Sequence, residues 1–409
     1  MEPPPNRKDP VPPDWPSKLV GTRASQKTRF QRTVFSIHDF FHRRIRGGEQ
    51  GYLLILAVIV GVIMGGVASL FRFLITVSHH FFFEATQREE LFFVDVSSGT
   101  AHLLARMLLP AAGGLIVGLI IYRVMHLTGG HGVPSVMKAI ATGKVYLSPD
   151  MAAKSSSSVI TITTGGSCGP EGPIIEIGSV IGSIVGRKME VSKERVAILI
   201  ACGAAAGIAA FFNAPFGAVF LAIALLLRDI AVRTFGPIML SAVAAHVVSE
   251  AIFPHSPLFA AVSEEVMEMV QPTTWQVIQF SLLGVLCGLF GILLVYGLYK
   301  AHDFFQPLRI PMWLKPAIGG LGVGVVGLWY PEIIGEGYGY VSNNIIEQFA
   351  RFDPTDLTLT AALIFLFVAV LKIAVTSLTL GSGGTGGSFA PAMVTGAMVG
   401  AGWGVLCNW

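Results

Sequence analysis

"GGSCGPEGP", residues 165–173, sets a single glutamate, Glu171, among four glycines and two prolines. The chain around it is 53% apolar and only 13% charged. An acid in such surroundings has to be solvated by protein groups, neutralised, or put to use. The sequence on either side of the loop narrows the choice. Apolar runs occupy about 52–68, 107–127, 196–227, 236–253, 277–300, 315–330, 359–380 and 390–407, and mean hydropathy is +0.66 over 409 residues. Such runs exceed what a soluble core needs and predict an all-α, polytopic membrane protein.

The first 50 residues differ in kind: they are polar, proline-rich and carry ten Lys and Arg against five Asp and Glu, leaving 18 against 20 elsewhere. They contain no short apolar core with a small-residue cleavage site, so a signal peptide is not expected. The basic excess places the N-terminus on the cytoplasmic side of the cell membrane. Its charges are scattered among prolines beside a span, which favours a topology signal over nucleic-acid binding. Cys168, Cys202, Cys287 and Cys407 lie far apart and form no CxxC pair. They read as small buried thiols, and with no HExxH among the ten dispersed histidines neither a metal nor a cofactor is expected.

Two features of the spans are unusual. From Val196 to Leu227 there is no formal charge, yet "FFNAPFG" interrupts the run near its middle and predicts two shorter helices. Broken helices survive in a membrane only where protein or a water-filled cavity satisfies the freed backbone. The chain also repeats itself. "PAAGGLIVG" at 110–118 returns as "PAIGGLGVG" at 316–324, an offset of 206, and Gly130 and Gly132 return as Gly335 and Gly337 at 205. Setting Pro173 on Pro391, offset 218, superposes Lys154 on Lys372, Thr161 on Thr379, and Gly165, Gly166, Gly169, Gly182 and Gly186 on Gly383, Gly384, Gly387, Gly400 and Gly404. The expected organisation is a cytoplasmic segment 1–50, a first transmembrane repeat 51–255, and a second repeat 256–409 that is incomplete at its C-terminus. Duplicated halves with broken helices are a transporter architecture, with the substrate at the repeat interface.

Three segments share the form Gly-x-x-x-Pro ahead of apolar residues: "GHGVP" from Gly130 to Pro134, "GPEGP" from Gly169 to Pro173, and "GSFAP" from Gly387 to Pro391. Proline suits a first helical turn, where its missing N–H costs nothing. A helix N-terminus presents unpaired amides and a positive partial charge, and so holds an anion without a full cation. Inverted repeats would aim the two superposed N-termini at one point, whereas parallel repeats would aim them the same way. Glu171 then sits where an anion would lie, as a tethered carboxylate that plugs the site when charged and leaves when protonated. The plain alternative is a glutamate capping its own helix.

These three segments, with "FFNAPFGAVF" between the second and third, resemble the selectivity-filter signatures of the CLC chloride channels and chloride/proton antiporters, over about residues 51–409. The resemblance implies the inverted-repeat fold with broken and half-membrane helices, a homodimer with a pore in each subunit, and transport of chloride or a similar anion, with protons as a further candidate. It implies that Glu171 is the gate. Ser388 and Phe389 would offer amides to a central anion, and Gly172 and Ala390 to an outer one, while His131 and Gly132 would belong to the first filter segment. Lys154 resembles the lysine that raises the local potential without touching the ion; alternatively it snorkels to an interface.

The sequence also departs from that pattern. His131 stands where a serine is usual, and its imidazole either donates to the anion or bonds nearby backbone. Pro170 replaces an Arg or Lys beside the gate. Leu225, with Ala224 before it, falls where antiporters commonly carry an internal proton-transfer glutamate, which favours a channel or a weakly coupled carrier over a tightly coupled antiporter. The short second half leaves out the helices that would supply a tyrosine to the central site and part of the dimer interface. A nitrate or fluoride transporter of the same fold is the near rival. The enzyme alternative, a serine protease using Ser167 with His126 or His131, lacks the G-x-S-G form of the nucleophile.

Overall fold

The computed structural model describes residues 48–79, 90–91, 94–95, 99–125, 132–227, 232–254, 274–330, 333–338, 341 and 359–407. Gly130, His131 and His126 lie outside them. Among the described residues the regular structure is helical, apart from a two-residue antiparallel ladder of β1 (Glu90–Leu91) on β2 (Val94–Asp95) and one isolated bridge. Leu53–Trp409 forms one compact unit.

The helices run in the order α1 (Gly48–His79), α2 (Gly99–Gly118, continued by a π-turn Leu119–Val124), α3 (Val133–Ala141), α4 (Pro149–Ser156), α5 (Ser158–Thr163), α6 (Glu171–Lys188) and α7 (Lys193–Phe212). Then follow α8 (Pro215–Ala222, with a π-turn Ile223–Leu227), α9 (Val232–Ile252), α10 (Thr274–Phe305), α11 (Lys315–Gly327), α12 (Leu359–Gly381) and α13 (Phe389–Cys407). Among the described residues six helices are long and apolar enough to cross a membrane, α1, α7, α9, α10, α12 and α13. The uncharged run 196–227 breaks at "FFNAPFG": Asn213 ends α7 in the left-handed region at φ 56°, and Pro215 opens α8 in its first turn.

Polarity is turned inside out. Phe216, Val285, Ile292 and Tyr299 are exposed, whereas Lys154, Ser167, Glu171, Glu176, Ser179, Lys372 and Thr376 are buried. With apolar chains facing outward, helices are held together by close backbone approach and by internal hydrogen bonds. Glycine supplies the first. A Cβ on Gly178 of α6 would collide with the carbonyl of Gly203 on α7, and one on Gly203 with the carbonyl of Gly178.

The same reciprocity joins the two halves. A Cβ on Gly114 of α2 would strike Pro316 O, and one on Gly320 of α11 would strike Pro110 O. Gly118 abuts Trp313 O and Gly324 abuts Met107 O; every member of these pairs maps onto its opposite number at offset 206. Gly113 presses on the Thr164 hydroxyl as Gly319 presses on that of Ser382, and Thr164 maps onto Ser382 at offset 218. When residue i meets j′ while i′ meets j, the two units are related by a local two-fold rotation. Backbone conformations repeat as well: φ is 95° at Gly165 and 101° at Gly383, 80° at Gly132 and 86° at Gly337.

Gly320→Val should drive a branched side chain into the Pro110 carbonyl and cost about 1–3 kcal/mol, as overpacking does. Thermal unfolding in detergent should show a lowered midpoint. Gly66→Ala, where a Cβ meets nothing within 4 Å, should leave the midpoint level or slightly raised.

Candidate functional site

Two loops equivalent under the repeat meet in the middle of the unit. Gly169 N donates to Gly387 O at 2.8 Å and Gly387 N donates to Gly169 O at 2.7 Å, an antiparallel bridge on the two positions that superpose at offset 218. Two residues later each loop becomes a helix, α6 at Glu171 and α13 at Phe389. The N-termini of these helices therefore face one another across the bridge. Gly172 lies so close to Gly387 that a Cβ would stand 3.1 Å from its Cα.

Hydroxyl groups fix the two loops. Ser167 N donates to Thr379 Oγ1 at 3.0 Å, and the Ser167 and Thr376 hydroxyls are 2.9 Å apart. Thr385 Oγ1 lies 3.0 Å from Ser157 Oγ and 3.3 Å from Thr161 Oγ1. The Cys168 thiol donates to Thr385 O at 3.6 Å. All of these bonds run between the halves. They also account for Ser167, whose hydroxyl is tied to a threonine of α12.

In both helices the proline of the motif sits in the first turn, Pro173 in α6 and Pro391 in α13. Ile174 N bonds to Pro170 O and Ala392 N to Ser388 O. The amides of Glu171 and Gly172, and those of Phe389 and Ala390, are left with no carbonyl inside their own helix. Gly172 and Ala390 are buried, while Ser388 and Phe389 are exposed, so this cradle of donors has a closed end and an open one.

Glu171 fills the closed end. It is 3% exposed, and Oε1 accepts the hydroxyl of Tyr338. The amides of Glu171 and Ala390 lie close to the carboxylate, and Oε2 makes no hydrogen bond. Residue Pro170, not Glu171, is the N-cap of α6, and it makes no side-chain cap. The helix-capping alternative is thereby replaced: the carboxylate reaches across to the other half.

Tyr338 is the residue that sequence reasoning missed. The "GEGYG" loop brings its hydroxyl onto the Glu171 carboxylate. The repeated G-x-G at Gly335 and Gly337 was the available signal. Tyr338 packs edge-on against Phe212 at 6.5 Å between ring centroids.

The segment ahead of α3 is held differently. Gly132 precedes α3, with Pro134 in the first turn, and its amide donates to Glu176 Oε2 at 2.9 Å. That amide, expected to serve an anion, thus has a protein acceptor. Glu176 also accepts the Ser155 hydroxyl and is 1% exposed. Lys154 faces Glu176 and is only 5% exposed, which replaces the interfacial snorkelling alternative with burial inside the protein. In the other half Lys372 is fully buried and donates to Ile333 O and Gly335 O, each at 2.8 Å. Leu225 lies in the π-turn after α8 and Ala224 beside it is exposed.

Comparison with known proteins agrees with this geometry. The profile of the family described as voltage gated chloride channel matches residues 113–409. A putative ClcB-like chloride channel protein of Ralstonia nicotianae is 33% identical over 301 residues, 72% of this chain and 66% of its own length. Chloride channel protein CLC-f of Arabidopsis thaliana is 30% identical over 368 residues, 85% of this chain and 44% of its own length. The chain thus spans less than two thirds of either relative. The crystal structure of a slow cyanobacterial Cl−/H+ antiporter superposes with a TM-score of 0.70 at 22% identity, covering 86% of this chain and 78% of that one; this similarity shows the fold.

Glu176→Ala should strand the Gly132 amide and the Ser155 hydroxyl in the interior and cost about 2–4 kcal/mol. Glu176→Gln, which keeps an acceptor oxygen, should cost less. The order of thermal midpoints, wild type above Gln above Ala, checks it.

Proposed function

Because the chain belongs to the voltage gated chloride channel family, the CLC family, we propose that it carries chloride or a similar small anion across the membrane, with Glu171 as the gate. The observation that carries this reading is the meeting of two amide-bearing helix N-termini on one carboxylate. Donors of that kind bind an anion moderately and allow it to leave, where a ring of buried cations would hold it. A charged Glu171 takes the anion's place among the Gly172 and Ala390 amides, and a protonated Glu171 gives that place up. Ser388 and Phe389, at the open end of the cradle, receive the anion next. Lys154 contributes through its charge at a distance, beside Glu176.

The remainder of the reading follows the same logic. The repeats 51–255 and 256–409 are inverted in the membrane, their two-fold axis lying in its plane, so that α6 and α13 approach the centre from opposite sides. The protein sits in the cell membrane with residues 1–50 in the cytoplasm, and it pairs with a second copy of itself. Leu225 offers no carboxylate for tight proton coupling, which supports a channel or a weakly coupled carrier.

The test is reconstitution in liposomes with chloride efflux and internal pH recorded together. Efflux should rise as pH falls, and Glu171→Gln, which mimics the protonated gate, should hold efflux at its acidic level at every pH. A Glu171→Gln protein with the wild-type pH profile would remove Glu171 from the gate. His131→Ser should change the chloride-to-nitrate preference severalfold, the effect of about 1 kcal/mol from a single hydrogen bond. Equal permeability ratios before and after would assign His131 to structure.

A further inference from the structure

The loop that supplies Tyr338 carries a second acid, Glu336, which the gate as described does not use. At offset 205 Glu336 occupies the place in the second half that His131 occupies in the first. Its residue surface is partly accessible, but Oε1 is sealed from solvent and has no hydrogen-bond partner. Glu171 shows the same condition at Oε2. The two carboxyl groups lie within electrostatic reach of each other, and Lys372 and the Cys168 thiol lie within reach of Glu336 as well. Among the described residues, the groups facing Glu336 are Glu171 on α6, Cys168 on the loop before it, Lys372 on α12, and Tyr338 two residues along its own loop.

Lys372 fixes this loop in place. Its ammonium holds the carbonyls of Ile333 and Gly335, and a Cβ on Gly337 would stand 3.2 Å from Nζ. The φ angles of 66° at Gly335 and 86° at Gly337 fold the chain tightly around Glu336. The loop therefore sets the Tyr338 phenol on the Glu171 carboxylate and keeps the Glu336 carboxyl within electrostatic reach of it. A sealed carboxylate oxygen without a donor is costly, and two such oxygens on neighbouring acids repel. One proton shared between the acids relieves both conditions. With that proton aboard, two carboxyl groups and one ammonium sum to zero charge, Tyr338 and Cys168 being neutral.

We propose that Glu336 is a second proton-binding carboxyl, which exchanges a proton with Glu171 in the buried region beside Lys372 and Tyr338. The proton leaves an oxygen of one carboxyl and arrives on an oxygen of the other, and no other bond is made or broken. Acids coupled in this way titrate as a pair. This inference rests on the reading of Glu171 as a gate that is charged or protonated in turn, and it adds the group that gives and takes the gate's proton.

The experiment is infrared difference spectroscopy on the full chain in lipid vesicles, stepping the pH and following the carbonyl stretch of protonated carboxyl groups. The wild type should show bands from two buried acids. Glu171→Gln should remove one and Glu336→Gln the other, and each should shift the band that remains. A Glu336→Gln spectrum identical to that of the wild type would overturn the proposal. Should that variant fail to assemble, Glu336→Asp keeps a carboxyl in a changed position. A displaced band in it supports the proposal, and an unmoved band overturns it. Chloride efflux from the same vesicles is scored apart: a wild type without efflux sinks the transport reading, while the bands still decide the proton site.

Discussion

Two hydrogen bonds between Gly169 and Gly387 hold the centre of this protein together. They join two loops by an isolated antiparallel bridge, and each loop leads directly into a helix. The bridge fixes the distance between two sets of unpaired amides, and with it the position of whatever lies among them. Glycine is required at both positions because the partner backbone and the Glu171 carboxylate leave no space for a Cβ. The surrounding Ser167, Thr376, Thr379 and Thr385 contacts hold the two loops in register.

Those contacts reflect the solvent. Where apolar side chains face lipid, there is little hydrophobic gain in bringing helices together, and close packing with satisfied polar groups does the work instead. Buried lysines fit the same rule. Lys154 faces a carboxylate and Lys372 is held by two carbonyls, so neither charge is left without compensation. The two halves use equivalent lysines at offset 218, but give them different partners. One stabilises the acid that holds Gly132, and the other holds the loop that carries Glu336 and Tyr338.

Much of this could be read in the sequence because duplication leaves arithmetic behind. Similar offsets, 206 at 110–118, 205 at 130–132 and 218 at 165–186, identified the loops that would be equivalent, and the Gly-x-x-x-Pro form placed the helix starts. Asn213 and Pro215 marked the break between α7 and α8. What escaped was contact between residues with no common pattern. Tyr338 meets Glu171 across 167 positions, and Glu176 accepts the amide of Gly132 across 44. No periodicity signals either pairing, since each depends on how a loop folds over a neighbouring helix. Tyr338 went unnoticed because the glycine pair beside it in "GEGYG" was read only as a repeat marker.

The interlocking of α2 with α11 bears on how such a chain could arise. Each helix is notched by glycines that receive the other's carbonyl groups, at Gly114 against Pro316 and at Gly320 against Pro110. A chain of half the length would carry one set of notches and one set of projections, both open. Such a half-length chain would close its notches only against a second copy of itself.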